Sequence, residues 1–257
     1  MFNAKLVKNE LVEWIKDYFK NNASPETKAV IGISGGKDSS IVAALCVEAL
    51  GKERVFGVLM PDGEQQDIDT AYAVCNHLGI ERTEVNIGSM VYQVYMSLLH
   101  ANIMVFIPDE DNEYKKPNPV IFNNTPARIR MTVLYAVSGS IGGRVANTSN
   151  LSEDWVGFAT KYGDSAGDFS PLANLTVTEI KAIGRELGLP TQFVDKVPED
   201  GLCGTTDEEN FGFTYDILDK YIRYGVEPEA DIKARIDKMH QMNLHKVNPI
   251  PAYKPNR

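Results

Sequence analysis

The chain has 257 residues, of which 43% are hydrophobic and 24% charged, with a net charge of −9 and an isoelectric point near 5.0. Those proportions are ordinary for a soluble globular protein and allow a sizeable core. The acidic balance speaks against broad binding to nucleic acid or an anionic membrane, so an anionic ligand needs a local cationic pocket.

In chain order, Leu6, Val7, Leu11, Trp14, Ile15, Tyr18 and Phe19 form a helical apolar stripe, with Trp14 and Tyr18 expected in the core. The mixed-charge N-terminus and the lack of any apolar run of bilayer length lead to an expected cytoplasmic location. A polar link over 21–28 enters a first strand at Ala29–Ile33, and a helix follows from Ile41. A second strand is expected at Val55–Met60, a helix at Ile68–Leu78, a third strand at Thr83–Ile87 and a helix at Val91–Leu99. Strands separated by helices at this rhythm predict βαβ units and a parallel sheet. Residues 107–124, rich in Pro and Asn, read as a long surface loop. Thr125 and Pro126 are then the expected cap and first residue of a helix reaching Ser138. A fourth strand at Arg144–Ala146 precedes helices at Thr176–Leu187, Tyr215–Tyr224 and Pro228–Met242. The fold class is therefore α/β: an open, mostly parallel twisted sheet with helices on both faces and a helical C-terminal portion. The economical organisation is one domain over 1–257.

Cys46, Cys75 and Cys203 form no Cys-x-x-Cys pair, so disulfides and zinc clusters are not expected; Cys46 and Cys75 read as buried helix residues. No His-x-x-x-His pair occurs, and His77 reads as capping or packing at a helix end.

The segment Ser34-Gly35-Gly36-Lys37-Asp38-Ser39 lies between the first strand and its helix. Paired glycines allow close backbone approach, and a helix N-terminus aims free N–H groups at an anion. A carboxylate at Asp38 beside a phosphate cradle makes sense if Mg²⁺ bridges the two. The common phosphate loop is excluded, because Ile31 holds its first glycine position and Asp38 follows Lys37. No Gly-x-Gly-x-x-Gly occurs either. A ligand-free turn is the plainer alternative.

Downstream, Arg128 and Arg130 fall on different helix faces, so one is expected to face substrate and the other a carboxylate of the fold. Asn147 to Glu153 follow the fourth strand, on the sheet edge that carries ligands in open parallel sheets. Asp38 and Glu153 together would form an oxygen-rich site suited to Mg²⁺ and a polyphosphate. Lys161-Tyr162-Gly163-Asp164 and Asp168 form a later polar loop.

The Ser34–Ser39 loop resembles that of the N-type ATP pyrophosphatases, the adenine nucleotide alpha hydrolase-like enzymes that cleave ATP between its α and β phosphates. With Asn124–Met131, Thr148 and Glu153, Lys161–Asp164 and His245-Lys246 in the same order, the chain is similar to the ammonia-dependent NAD synthetases from about Leu6 to Lys246. The resemblance implies ATP-dependent amidation of deamido-NAD by ammonia through an acyl-adenylate, giving NAD, AMP and pyrophosphate. It implies ATP contacts at Gly32, Ile33, Ser34, Gly35, Gly36, Lys37, Asp38, Ser39, Met60, Thr148, Val177 and Glu199, with Mg²⁺ on Asp38 and Glu153. Deamido-NAD falls to Arg128, Tyr135, Phe158, Lys161, Asp168, His245 and Lys246, and Asp164 is the candidate for handling ammonium or its proton. A homodimer is implied.

Three positions depart from the family pattern. Val177 replaces a lysine that touches ATP phosphates, Glu199 replaces a hydroxyl residue, and Asn147 replaces a glycine. Lys181, one turn after Val177, is positioned to supply the missing charge. No glutaminase sequence accompanies these motifs, so free ammonia is the expected nitrogen source. The rivals are a tRNA-thiolating or GMP-synthesising pyrophosphatase, against which the Lys161–Asp164 block speaks, and a nucleotide-binding protein without catalysis, against which Asp38 with Glu153 speaks.

Overall fold

The computed structural model describes residues 2–65, 68–101, 106–109, 112–117, 119–195 and 206–255. Its centre is a sheet of four strands, β1 (Ala29–Gly32), β2 (Val55–Leu59), β3 (Glu81–Glu84) and β6 (Arg144–Val145), in the order β3-β2-β1-β6. All neighbours run parallel, with Ala29 opposite Val55 and Phe56 opposite Glu81. The period of two along a strand explains why both faces are covered. Ala29, Ile31, Val55 and Leu59 enter one apolar cluster with α1 (Ala4–Asn22), α2 (Lys37–Leu50), α3 (Ile68–Leu78), α7 (Val177–Glu186) and α8 (Thr191–Val194). Val30, Phe56, Val58 and Val145 enter another with Leu134 of α5 (Pro119–Ile141). Ile87, Val91 of α4 (Gly88–His100) and Val133 extend that second face. A further cluster lies in the C-terminal portion. Val156 of α6 (Leu151–Val156) and Val177 meet Phe211 of α9 (Asp207–Phe211), Tyr215 and Leu218 of α10 (Tyr215–Tyr224) and Ile236 of α11 (Ala230–Val247).

Several expectations shift. The chain over 107–124 is no continuous loop: β4 (Phe106–Asp109) and β5 (Asn112–Pro117) pair antiparallel, and α5 starts at Pro119. Pro126 therefore lies inside the helix and buried, with Thr125 nearly two turns in rather than capping. The long apolar face that α5 lays on the sheet outweighs the one backbone bond a proline removes. The third strand begins two residues early. Val85 and Ile87 continue it only through single backbone bonds to Leu59 and Pro61, because Ile87 is buried under α4. Trp14 is 45% exposed and stacks on Tyr18 instead of entering the core. The last helix runs to Val247, which puts His245 and Lys246 in its final turn. Cys46 and Cys75 are buried thiols, and His77 ends α3 edge-on to Phe193.

β2 and β3 lie to one side of β1, whereas β6 returns on the other after α4, the hairpin and α5. That reversal opens a crevice beyond the carboxyl ends of β1 and β6, the usual place for a ligand in such sheets.

Candidate active site

The turn from β1 into α2 forms the floor of the crevice. Gly35 adopts φ +80°, and a Cβ there would stand 2.8 Å from the Ala71 nitrogen, so only glycine lets α3 close over the turn. Gly36 is the N-cap of α2 and has no side chain to offer its leading N–H groups, which leaves them for an anion. The Ser34 and Ser39 hydroxyls lie 3.2 Å apart, and Ser39 donates to the Gly36 carbonyl, which turns both hydroxyls toward the turn.

The opposite wall follows β6. Asn150 caps α6 by accepting from the Glu153 N–H at 3.0 Å, and its amide donates to Asp38 Oδ1 at 3.3 Å. One side chain thus holds the Asp38 carboxylate and the backbone from which Glu153 projects. Between them lies the Lys37 ammonium, 2.8 Å from Asp38 Oδ2 and 3.7 Å from Glu153 Oε1, with its Nζ 5.6 Å from the centre of the Tyr215 ring. Burial alone would lower the Lys37 pKa, but Asp38 and Glu153 outweigh it and hold the ammonium above its usual range. Burial and the nearby Asp38 push the Glu153 carboxyl up to about 8, with Lys37 opposing.

A cavity of about 120 Å³ opens here, lined by Ser34, Gly36, Asp38, Ser39, Thr148, Ser149, Glu153 and Asp164. Asp164 lines this cavity, and burial raises its carboxyl against the lowering effect of the Thr160 N–H. Among the described residues no group of three His, Cys, Asp or Glu side chains could hold a metal ion. Two carboxylates facing a phosphate cradle do suit Mg²⁺, which takes one or two carboxylates and completes its shell from phosphate oxygens and water.

A second grouping flanks the cavity. Lys161 Nζ donates to the His245 carbonyl, and Lys246 Nζ donates to the Gly157 carbonyl at 2.6 Å, so the end of α11 is tied to the loop after α6. Arg128 is exposed, with Nε on the Lys161 carbonyl at 3.2 Å, and Phe158 stands edge-on to Phe211.

The NAD synthase family profile matches residues 7–253. The chain belongs to that family. It is 40% identical to the NH(3)-dependent NAD(+) synthetase of Thermococcus sibiricus, covering 97% of this chain and 91% of that one. Among solved structures, NMN synthetase from Francisella tularensis superposes with a TM-score of 0.85 at 30% identity over the whole of both chains. NH3-dependent NAD synthetase from Campylobacter jejuni gives 0.74 at 26% identity, covering 99% of this chain and all of that one.

For a member of the NAD synthase family, the expected residues fall into distinct places. Ser34, Gly36, Asp38 and Ser39 of the loop meet Thr148, Glu153 and Asp164 at the cavity, whereas Gly32, Ile33, Gly35 and Lys37 do not line it. Met60 lies beside Gly32, where a Cβ on the glycine would come within 3.1 Å of the methionine methyl. Tyr135 and Asp168 pair with each other, and Asp168 Oδ2 accepts the Val145 N–H at 2.7 Å on the sheet edge. Val177 is 2% exposed inside the C-terminal apolar cluster, with its N–H on Ser152 Oγ. Glu199 lies outside the described residues. Arg130 turns inward, as one of the arginine pair was expected to: its Nε donates to the Met60 carbonyl and its charge faces Asp62 and Asp164. Asn147 is a buried hub, donating to the Asp164 and Ala166 carbonyls and accepting from Ser149 N and Ser170 Oγ. That is a physical reason for asparagine there: it holds the loop that carries Asp164. Sequence reasoning missed Asn150, although an Asn three residues before a Glu at a helix start is a legible capping signal. It also missed Tyr215 and Asp207 beneath Lys37, for which no local signal existed.

Proposed function

We propose that the chain is an ammonia-dependent ligase that amidates deamido-NAD at the expense of ATP. The observation that carries this reading is the cavity itself, where the phosphate-cradling turn faces Asp38, Glu153 and Asp164. The substrate's pyridine carboxylate must lose an oxygen, which is a poor leaving group. Attack of that carboxylate on the α-phosphorus of ATP forms an acyl-adenylate and expels pyrophosphate. Ammonia then attacks the acyl carbon and expels AMP. The loop N–H groups and the Ser34, Ser39 and Thr148 hydroxyls hold the phosphates, while Asp38 and Glu153 would hold Mg²⁺. The metal supplies charge neutralisation on the departing pyrophosphate. Asp164, with its raised carboxyl pKa, takes the proton that ammonium must lose before it can attack. Arg128, Phe158, Lys161, His245 and Lys246 grip the dinucleotide, and the remaining catalysis is positioning.

The enzyme is further proposed to work as one domain, as a homodimer and in the cytoplasm. The dimer reading is supported by α4, which leaves Met90, Tyr92, Val94 and Leu99 exposed. The test is incubation with ATP, Mg²⁺, ammonium and deamido-NAD. AMP, pyrophosphate and NAD are expected in equal amounts, and their absence would end the assignment.

A second reading is a mononucleotide substrate, which would make the product NMN. It is favoured by the superposition on the Francisella NMN synthetase over all of both chains. Deamido-NAD and its mononucleotide counterpart, assayed side by side, decide by the ratio of kcat/KM.

A further inference from the structure

Lys37 has no task in the reaction described above, yet its side chain is only 2% exposed and touches both acids of the site. Its ammonium stands where a cation bridging Asp38 and Glu153 would be expected. We propose that Lys37 is a resident counter-cation, which holds the two carboxylates together in the nucleotide-free protein and keeps a divalent ion out until that ion arrives with the triphosphate. This rests on the metal site proposed above.

The argument is one of charge at short range. A divalent ion bound to these carboxylates would sit about 2 Å from their oxygens. It would thus come within a few ångströms of the ammonium, in a cavity where burial weakens screening. Two neighbouring cations on one pair of acids repel, so a bare metal ion is opposed. A triphosphate reverses the balance, because its charges offset the repulsion and give the ammonium new acceptors. The lysine also has a place to go. The Tyr215 face lies on its third side, and the Tyr215 hydroxyl is held by Asp207 Oδ2 at 2.9 Å. Asp207 also acts on Lys37 by charge. The ammonium can shift away from Glu153 and stay paired inside the protein.

Removing the charge separates this role from a packing role. Lys37→Gln and Lys37→Met both keep a side chain of comparable length and delete the cation. Mn²⁺ binding would be measured by electron paramagnetic resonance, first without nucleotide and then with a non-hydrolysable ATP analogue. Wild type is expected to bind Mn²⁺ weakly alone, and both variants about tenfold tighter or more, with the gap narrowing once the analogue is present. Variants that bind Mn²⁺ alone no tighter than wild type would overturn the inference. If a variant unfolds without metal, Mn²⁺ alone should restore its circular dichroism spectrum; failure to do so counts against the proposal equally. Wild type with the analogue is the control for the site itself. Should Asp38→Asn not abolish its Mn²⁺ signal, the metal site and the inference fall together. A normal control with unmoved Lys37 variants sinks the lysine role alone.

Discussion

Asp38 and Glu153 lie in the first turns of α2 and α6, the helices that follow the two strands bordering the crevice, and Asn150 links the Asp38 carboxylate to the Glu153 backbone N–H. Glu153→Gln should fold well, because it keeps the size of the side chain and the Asn150 cap is made to the backbone N–H of this residue. Asp38→Asn keeps the shape and one acceptor. Turnover, read as AMP release at saturating Mg²⁺, is expected to drop about 100-fold or more in each, since charge on the leaving pyrophosphate goes uncompensated. Near-normal rates in both would remove the proposed roles. These two acids were legible in the sequence, one inside a motif and the other at a helix start after a strand. The burial of Lys37 was not. A lysine at a helix N-terminus reads as solvated, and what meets it here is the Tyr215 ring, with Asp207 acting by charge, both from helices near the far end of the chain. The suggestion that Lys181 replaces the lysine absent at Val177 also looks different against the fold, because Val177 packs into an apolar cluster beside Tyr215, whose ring already receives Lys37.

At the scale of elements, α11 depends on its seam with α6. Asn243 donates to the Val156 carbonyl, His240 Nδ1 lies 2.9 Å from the Trp155 carbonyl, and Lys246 donates to the Gly157 carbonyl. Gly157 closes α6 at φ +70°, and a Cβ there would lie 2.1 Å from the Asn243 side chain. Gly157→Ala is therefore expected to cost about 2–4 kcal/mol through backbone strain and displaced packing. It should also raise KM for the dinucleotide more than it lowers kcat, because His245 and Lys246 move with the helix. Denaturant unfolding beside steady-state kinetics checks both, and an unchanged midpoint would refute the seam. Strands β1 and β2 and helices α3 and α10 could be read from apolar period and flanking residues. The hairpin and the start of α5 could not. Their Pro and Asn content signals a loop locally, and for α5 what overrides it is the apolar face the helix lays on the sheet.

For the whole molecule, the exposed apolar residues of α4 make a specific prediction about assembly. Light scattering should give twice the 28.5 kDa of one chain. Tyr92→Glu, at a side chain 57% exposed, should yield monomers that still unfold cooperatively. A monomeric wild type would show that this face has another use. The covering of the sheet on both faces was foreseeable from its βαβ rhythm. The order β3-β2-β1-β6 was not, because nothing local records on which side of β1 the chain returns.

The bond from Asn150 to Asp38 spans 112 residues of chain. Closing so long a stretch is entropically slow, so the site is among the last features a folding molecule acquires. A nucleotide therefore finds nothing to hold on a half-folded chain. Its grip lengthens the lifetime of the finished molecule and leaves the speed of its making untouched.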